Sequence, residues 1–354
     1  MKYVLTIAYL LQFLGLVGQE FKTLPVGRPT PHLETVDSKK LDTYGPDYKF
    51  YYSDLKNFRT LLKTAREGGD TLTAMKTYFS KGSEGMKAWI KRYDTQPEQM
   101  VKAITYLPKY YAYLSQMDTT LMKYEIQIAD GLDGLKKLYP SPFVHIPPIY
   151  YFILFGGGGS IEMTANMISV DYFGYHEDMD KTEFNVVGGL MPNGNFPLAP
   201  VEMVPQVVIH ETTHLLQTYM QGETNYVSIY KESVQMMIAY AIREGSAEFL
   251  AFLASGLLDT KRFAFGEENE KELWTLFEPL LYEKVDQNKG WFSGKSPEHP
   301  EWPWQIGYYV GFKMVEYYYK NAENKETAIN FILNAHKMKD FEVFVKKYKE
   351  KWKD

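Results

Sequence analysis

The chain has 354 residues, 45% hydrophobic and 23% charged, with a formal net charge of −5. That composition is globular and long enough to bury a large core, and with no basic patch in its body it argues against nucleic acid as a partner. There is no cysteine, which excludes disulfides, thiolate metal ligands, cysteine nucleophiles and a lipid-modified cysteine.

The first residues, MKYVLTIAYLLQFLGLVG, have the layout of a secretory leader. Lys2 is followed by a short apolar run over 3–17, shorter than the roughly 20 residues of a spanning helix. Cleavage is expected near Gly18–Glu20, giving a signal peptide at 1–19 and an exported protein, periplasmic or extracellular. An uncleaved leader acting as an anchor is the alternative. No later run is long and apolar enough to span a membrane, so no integral membrane domain is expected after cleavage.

Residues 19–46 are Pro-rich and read as extended. From about 47 to 138 four segments carry apolar residues near a 3.6 period, separated by Gly and Asp clusters, and read as helices. The texture changes at 141–174. Two β-rich runs, Ile149–Phe155 and Ser160–Asp171, flank four glycines and read as neighbouring strands of a small sheet. No Lys-Ser/Thr follows the glycines, so they read as a strand connection or a close backbone approach rather than a phosphate loop. A Gly/Pro/Asn loop leads into a helix near 205–220, and a second helix is expected over 232–256. An amphipathic stretch near 267–285, an aromatic helix from Ile306 and an amphipathic helix near 325–350 complete the chain, whose tail KKYKEKWKD reads as a solvated helix end. The expected class is α+β, mainly helical, with the small sheet placed before the 205–220 helix. Two regions follow the leader: an extended arm and helices over 20–140, and a second unit over 141–354.

The 205–220 helix contains His210-Glu211-Thr212-Thr213-His214. Residues four apart share a helix face, so both imidazoles can converge on one ion, with Glu211 placed to reach a water on it. This is the H-E-x-x-H arrangement of zinc peptidases: two ligands and a general base in five residues. A catalytic zinc needs a third protein ligand and one open position. On the 232–256 helix, Met237, Ala241, Glu244, Glu248, Ala251 and Ser255 share a face that is mostly small and apolar. Two carboxylates on such a face need partners. Glu244 is read as the third ligand and Glu248, one turn on, as an acceptor for the free N–H of a zinc-bound histidine. Glu223 and Glu232 are weaker rivals. A third histidine in the compact H-E-x-x-H-x-x-G-x-x-H pattern is excluded, because Gln217 and Met220 occupy those positions. His176 and His299 are remoter candidates for substrate contact.

HETTHLLQ at 210–217, REGSAEFLAFLASG at 243–256, GWFSG at 290–294 and GYYVGFKMVEYYYK at 307–320, with SVDYFG at 169–174, carry a resemblance. Across this stretch the chain resembles the predicted zinc-dependent proteases of Bacteroidetes, whose relatives include a lipoprotein associated with gliding motility. The resemblance implies a zincin-like catalytic core of the gluzincin type, with His210, His214 and Glu244 on zinc and Glu211 as catalytic base. The lipidated cysteine of the lipoprotein relatives has no counterpart here, so a lipid anchor is not implied.

The expected reaction is hydrolysis of a peptide bond in a peptide or protein substrate, with Tyr308 or Tyr309 of the GYYVG segment stabilising the oxyanion. A non-catalytic envelope or gliding-associated binding protein that retains the zinc site is the alternative. Substrate specificity and oligomeric state are not written in the sequence.

Overall fold

The structure, a computed structural model, describes residues 48–353 apart from 142–143, 155–156, 181, 185–197, 227–235 and 294–295. The expected leader, the Pro-rich arm, most of the loop before residue 200 and the rival ligand Glu232 lie outside the described residues. What is described is mainly helical, with one four-stranded mixed sheet.

Seven helices stand where four segments were expected: α1 Ser53–Arg66, α2 Thr71–Ser80, α3 Glu84–Tyr93, α4 Pro97–Tyr106, α5 Pro108–Leu114, α6 Asp118–Met122 and α7 Glu125–Leu138. Local chemistry sets the breaks. The Asp70 side chain accepts from the Leu72 N–H and the Ser83 hydroxyl from the Met86 N–H, each opening a helix. Pro108 cannot donate to the preceding turn, so α4 stops and α5 begins there.

The sheet runs β1 Phe50–Tyr51, β2 Ile149–Phe152, β3 Gly159–Glu162 and β4 Ala165–Ser169, in the order β1-β2-β4-β3. β1, β2 and β4 are parallel, and β3 is antiparallel on the edge. Two expectations are corrected here. Residues 50–51 lie in a region read as helical, but they pair with β2. Tyr51 stacks on Tyr150 at 4.8 Å, and Tyr52, just past the strand, on Tyr151 at 5.0 Å; that cross-strand packing outweighs the local period. The second β-rich run is not one strand. It folds at Met163–Thr164 into the β3–β4 hairpin and ends in a 3-10 turn over Val170–Tyr172. β2 and β4 are buried along their whole length, under α1 and α3 on the N-terminal side.

Next come α8 Val204–Gln221, α9 Met237–Ser255, α10 Thr260–Phe277, α11 Ile306–Lys320, α12 Lys325–Asn334 and α13 Met338–Lys349. α10 begins earlier than the expected 267–285 stretch because Asp259 caps it, and the last expected helix is broken between Asn334 and Met338. The tail is less solvated than expected: Tyr348 is buried, and both its hydroxyl and the Lys351 ammonium bond Glu270. α9 is the centre of the molecule, with every residue from Met237 to Ala251 buried. It crosses α11 backbone to backbone. A β-carbon on Gly245 would lie 2.1 Å from the Gly311 carbonyl carbon, and one on Gly311 would lie 1.9 Å from the Ala241 oxygen. One hydrophobic core runs through both expected regions. No helix among the described residues is long and apolar enough to cross a membrane.

Candidate metal centre

Pro205 occupies the first turn of α8, and the helix ends at Gly222, whose φ of 79° suits a residue without a β-carbon. The two threonines of HETTH face inward. Thr212 and Thr213 each return their hydroxyls to the carbonyl four residues back, and both are fully buried. Asn166, the second residue of β4, donates from Nδ2 to the Val208 carbonyl and to Thr212 Oγ1, both at 3.1 Å. The helix is thereby fixed to the sheet through Thr212 and the Val208 carbonyl, while His210 and His214 turn toward α9.

There they meet Glu244. His210 Nε2 and His214 Nε2 are 3.0 Å apart, and Glu244 Oε2 lies 3.4 and 3.1 Å from them. All three side chains are buried, and this is the group of metal-ligating side chains found among the described residues. A tetrahedral zinc with bonds of about 2.0–2.1 Å spaces its ligand atoms about 3.3 Å apart. One cation can satisfy three lone-pair donors at such spacing together. The triad could hold a metal ion, and its donor set fits zinc.

The hydrogen bonds behind the histidines differ. The Arg243 carbonyl accepts from Gln217 Nε2 at 3.1 Å, which turns Gln217 Oε1 toward His214 Nδ1 at 2.8 Å. An amide oxygen only accepts, so His214 Nδ1 carries the proton and Nε2 is left to ligate. His210 Nδ1 is buried with no hydrogen-bond partner, and Glu248 Oε1 is 3.7 Å away. Glu248 itself is held by Gln206 Nε2 at 2.8 Å and by the buried Arg262 at 2.9 Å.

Glu211 is half-buried on the sheet side of the histidines, against β3. A β-carbon on Gly159 would come within 2.9 Å of Glu211 Cγ and 2.6 Å of Val207 Cγ1, so only glycine lets the edge strand lie this close to α8. The glycine run thus makes a close backbone approach, its first residue, Gly156, lying outside the described residues. Tyr308 stacks on His210, centroids 6.0 Å apart and planes 24° apart. Tyr309 does not reach the site. Adjacent helix positions point about 100° apart, and its ring packs on Phe263 and would meet any side chain at Gly266. Glu223 is exposed, just past Gly222 at the end of α8. His176 lies on Tyr113 and His299 stacks on Trp302.

Burial disfavours charge on the His210 ring, but the hydrogen bond to Glu244 and the charges of Glu248 and Glu211 more than offset it, raising its pKa to about 9. Burial works against the Glu244 carboxylate too. The two histidines outweigh it and hold its pKa well below the usual range. Burial, then the charges of Glu244 and Glu211, push the Tyr308 phenol far up, so it keeps its proton. Tyr226, which sequence reasoning passed over, lies near His214 with Arg243 3.5 Å over its ring, and burial raises its phenol as well. Asn166, Gln206, Gln217 and Arg262 were likewise not foreseen. Of these Gln217, three residues after His214, and Gln206, four before His210, had a spacing that could have marked them. In comparisons with known proteins, no family model, no curated protein and no solved structure matched this chain.

Proposed function

We propose that the chain is a zinc-dependent metallopeptidase with a zincin-like core. His210, His214 and Glu244 would hold the ion. The observation that carries this reading is the convergence of their three ligating atoms in a buried site on two packed helices. The motif resemblance to predicted zinc-dependent proteases supports the same reading, and export through the leader belongs to it.

When bound, zinc would polarise the scissile carbonyl and bring the pKa of a water toward about 7. Glu211 accepts a proton at its carboxylate and passes it to the leaving amine. Tyr308 retains its phenol proton and donates it in a hydrogen bond to the developing oxyanion. β3 supplies the place for substrate. The Ser169 N–H bonds the Gly158 carbonyl, so along β3 Gly159 turns its own N–H and C=O away from β4, beside Glu211. An extended peptide added along that edge would bring its backbone to the base.

Peptide-library digestion with and without chelator, on wild type and Glu211→Gln, is the test. Expected are about one zinc per chain in both, chelator-sensitive cleavage by wild type, and a loss of about 10²–10⁴-fold in Glu211→Gln. Zinc bound without any cleavage would leave the non-catalytic alternative. Unchanged turnover by Glu211→Gln would remove its role as base.

A further inference from the structure

We propose that Arg262 is a positioning residue for the metal centre: it fixes Glu248 as the acceptor for the outer N–H of His210, and so sets how tightly the ion is held. The inference rests on the metal-centre reading above.

Arg262 is the third residue of α10 and touches neither the histidines nor Glu244. It is 6% exposed. Each of its three nitrogens nonetheless has a partner. NH1 donates to Glu248 Oε1 at 2.9 Å, Nε to the Trp304 carbonyl at 3.2 Å and NH2 to Gln305 Oε1 at 3.3 Å, and NH2 also pairs with Asp259 Oδ2 at 3.1 Å. Asp259 in turn caps α10 at the Arg262 N–H. Gln305 sits at φ 58°, in the left-handed region that non-glycine residues seldom adopt, at the entry to α11. Strained positions of this kind persist where the surroundings over-determine them. The same guanidinium lies 5.1 Å over the ring of Tyr308, which stacks on His210. One planar cation therefore ties α9, α10 and the loop before α11 to the outer side of a single ligand.

The need for it lies in His210. An imidazole that gives its Nε2 lone pair to a cation carries its proton on Nδ1, and that N–H needs an acceptor. His210 Nδ1 is buried and unpartnered, and Glu248 Oε1 is the oxygen facing it, at 3.7 Å. A shift of about 0.8 Å closes that gap to a hydrogen bond. Gln206 on the other carboxylate oxygen and Arg262 on this one leave Glu248 little freedom except along that approach. A rigid fork suits the task better than a point charge.

The sign of one measurement separates this role from simple electrostatics. A guanidinium acting only as charge repels a second cation, so its removal would tighten metal binding. A positioning residue does the reverse. Zinc dissociation constants of the full chain, from competition with a chromophoric chelator, are compared for wild type, Arg262→Met, Arg262→Lys, Glu248→Gln and the Arg262→Met/Glu248→Gln double variant. The Co²⁺ visible spectrum is recorded for each. Arg262→Met is expected to weaken zinc by about 10–100-fold and to alter the cobalt spectrum. Arg262→Lys should recover part of that loss. The double variant should bind no more weakly than Glu248→Gln alone, because the two residues act in series. Should Arg262→Met fail to fold, the double variant carries the test, since it leaves no buried carboxylate unpaired at 248. Unchanged or tighter zinc in Arg262→Met, or additive losses in the double variant, would overturn the inference and leave the metal centre intact. A wild type that binds no zinc would instead sink the metal centre, and this role with it.

Discussion

His210 and His214 lie one turn apart on the same helix, yet the protein supports them in opposite ways. Behind His214 stands a neutral amide from its own helix, Gln217, oriented by a backbone carbonyl. Behind His210 stands a carboxylate from another helix, itself held by Gln206 and Arg262. The uncharged device fixes a tautomer and ties α8 to the backbone of α9. The long-range, charged one also sets the electrostatics of the site, and it joins the ligand to parts of the fold far along the chain.

The largest effect removes both sides together. His210→Ala/His214→Ala should abolish stoichiometric zinc after dialysis, measured by elemental analysis; full occupancy would mean that the ion sits elsewhere. Next come the supports. Glu248→Gln should weaken zinc by about 10–100-fold, and Gln217→Leu by about 10-fold, near the low end for such partners. A greater loss in Gln217→Leu would invert the comparison.

A third effect concerns protons. The His210 pKa is raised to about 9 by its carboxylate neighbours, against about 6.5 in an unfolded chain. Its contribution to stability in chelator-stripped protein is therefore fully present below about pH 6.5 and is lost as pH rises through about 9. Urea midpoints should fall across that window. Glu248→Gln should move the window down, because it removes one of the charges, and Gln217→Leu should leave it in place. A midpoint flat from pH 6 to 9 in the stripped protein would rule this out. The smallest effect is on the sheet side of the same helix. Thr212→Val keeps shape and loses the bond from Asn166, and should cost about 1 kcal/mol in denaturant unfolding with little change in zinc affinity.

The parts of the site legible in sequence were those with a short period. HETTH places two imidazoles on one face with a carboxylate beside them by helix geometry alone, and Glu244 with Glu248 could be paired with it because two carboxylates on a small-residue face require partners. Tyr308 and Tyr309 were indistinguishable until α11 had a rotational setting, which the approach of Gly245 to Gly311 supplies. Arg262 and Asn166 lack any sequence signal. Each acts on α8 or α9 from an element whose place depends on the whole fold. The same holds for β1, a two-residue strand whose only cause is its partner, and for the hairpin at Met163–Thr164, where no glycine or proline marked the turn.

α9 and α11 cross one residue past Glu244. Glu244 immediately precedes Gly245, and at Gly245 the two backbones touch with no side chain between them. A contact of that kind cannot loosen by rotamer exchange; it opens only when the helices part. Amide hydrogens of α9 on either side of residue 245 should accordingly exchange with solvent at the rate of global unfolding rather than local fraying. Glu244 then keeps its position for as long as the molecule stays folded, and an ion taken up there would find a site whose ordering entropy was spent during folding.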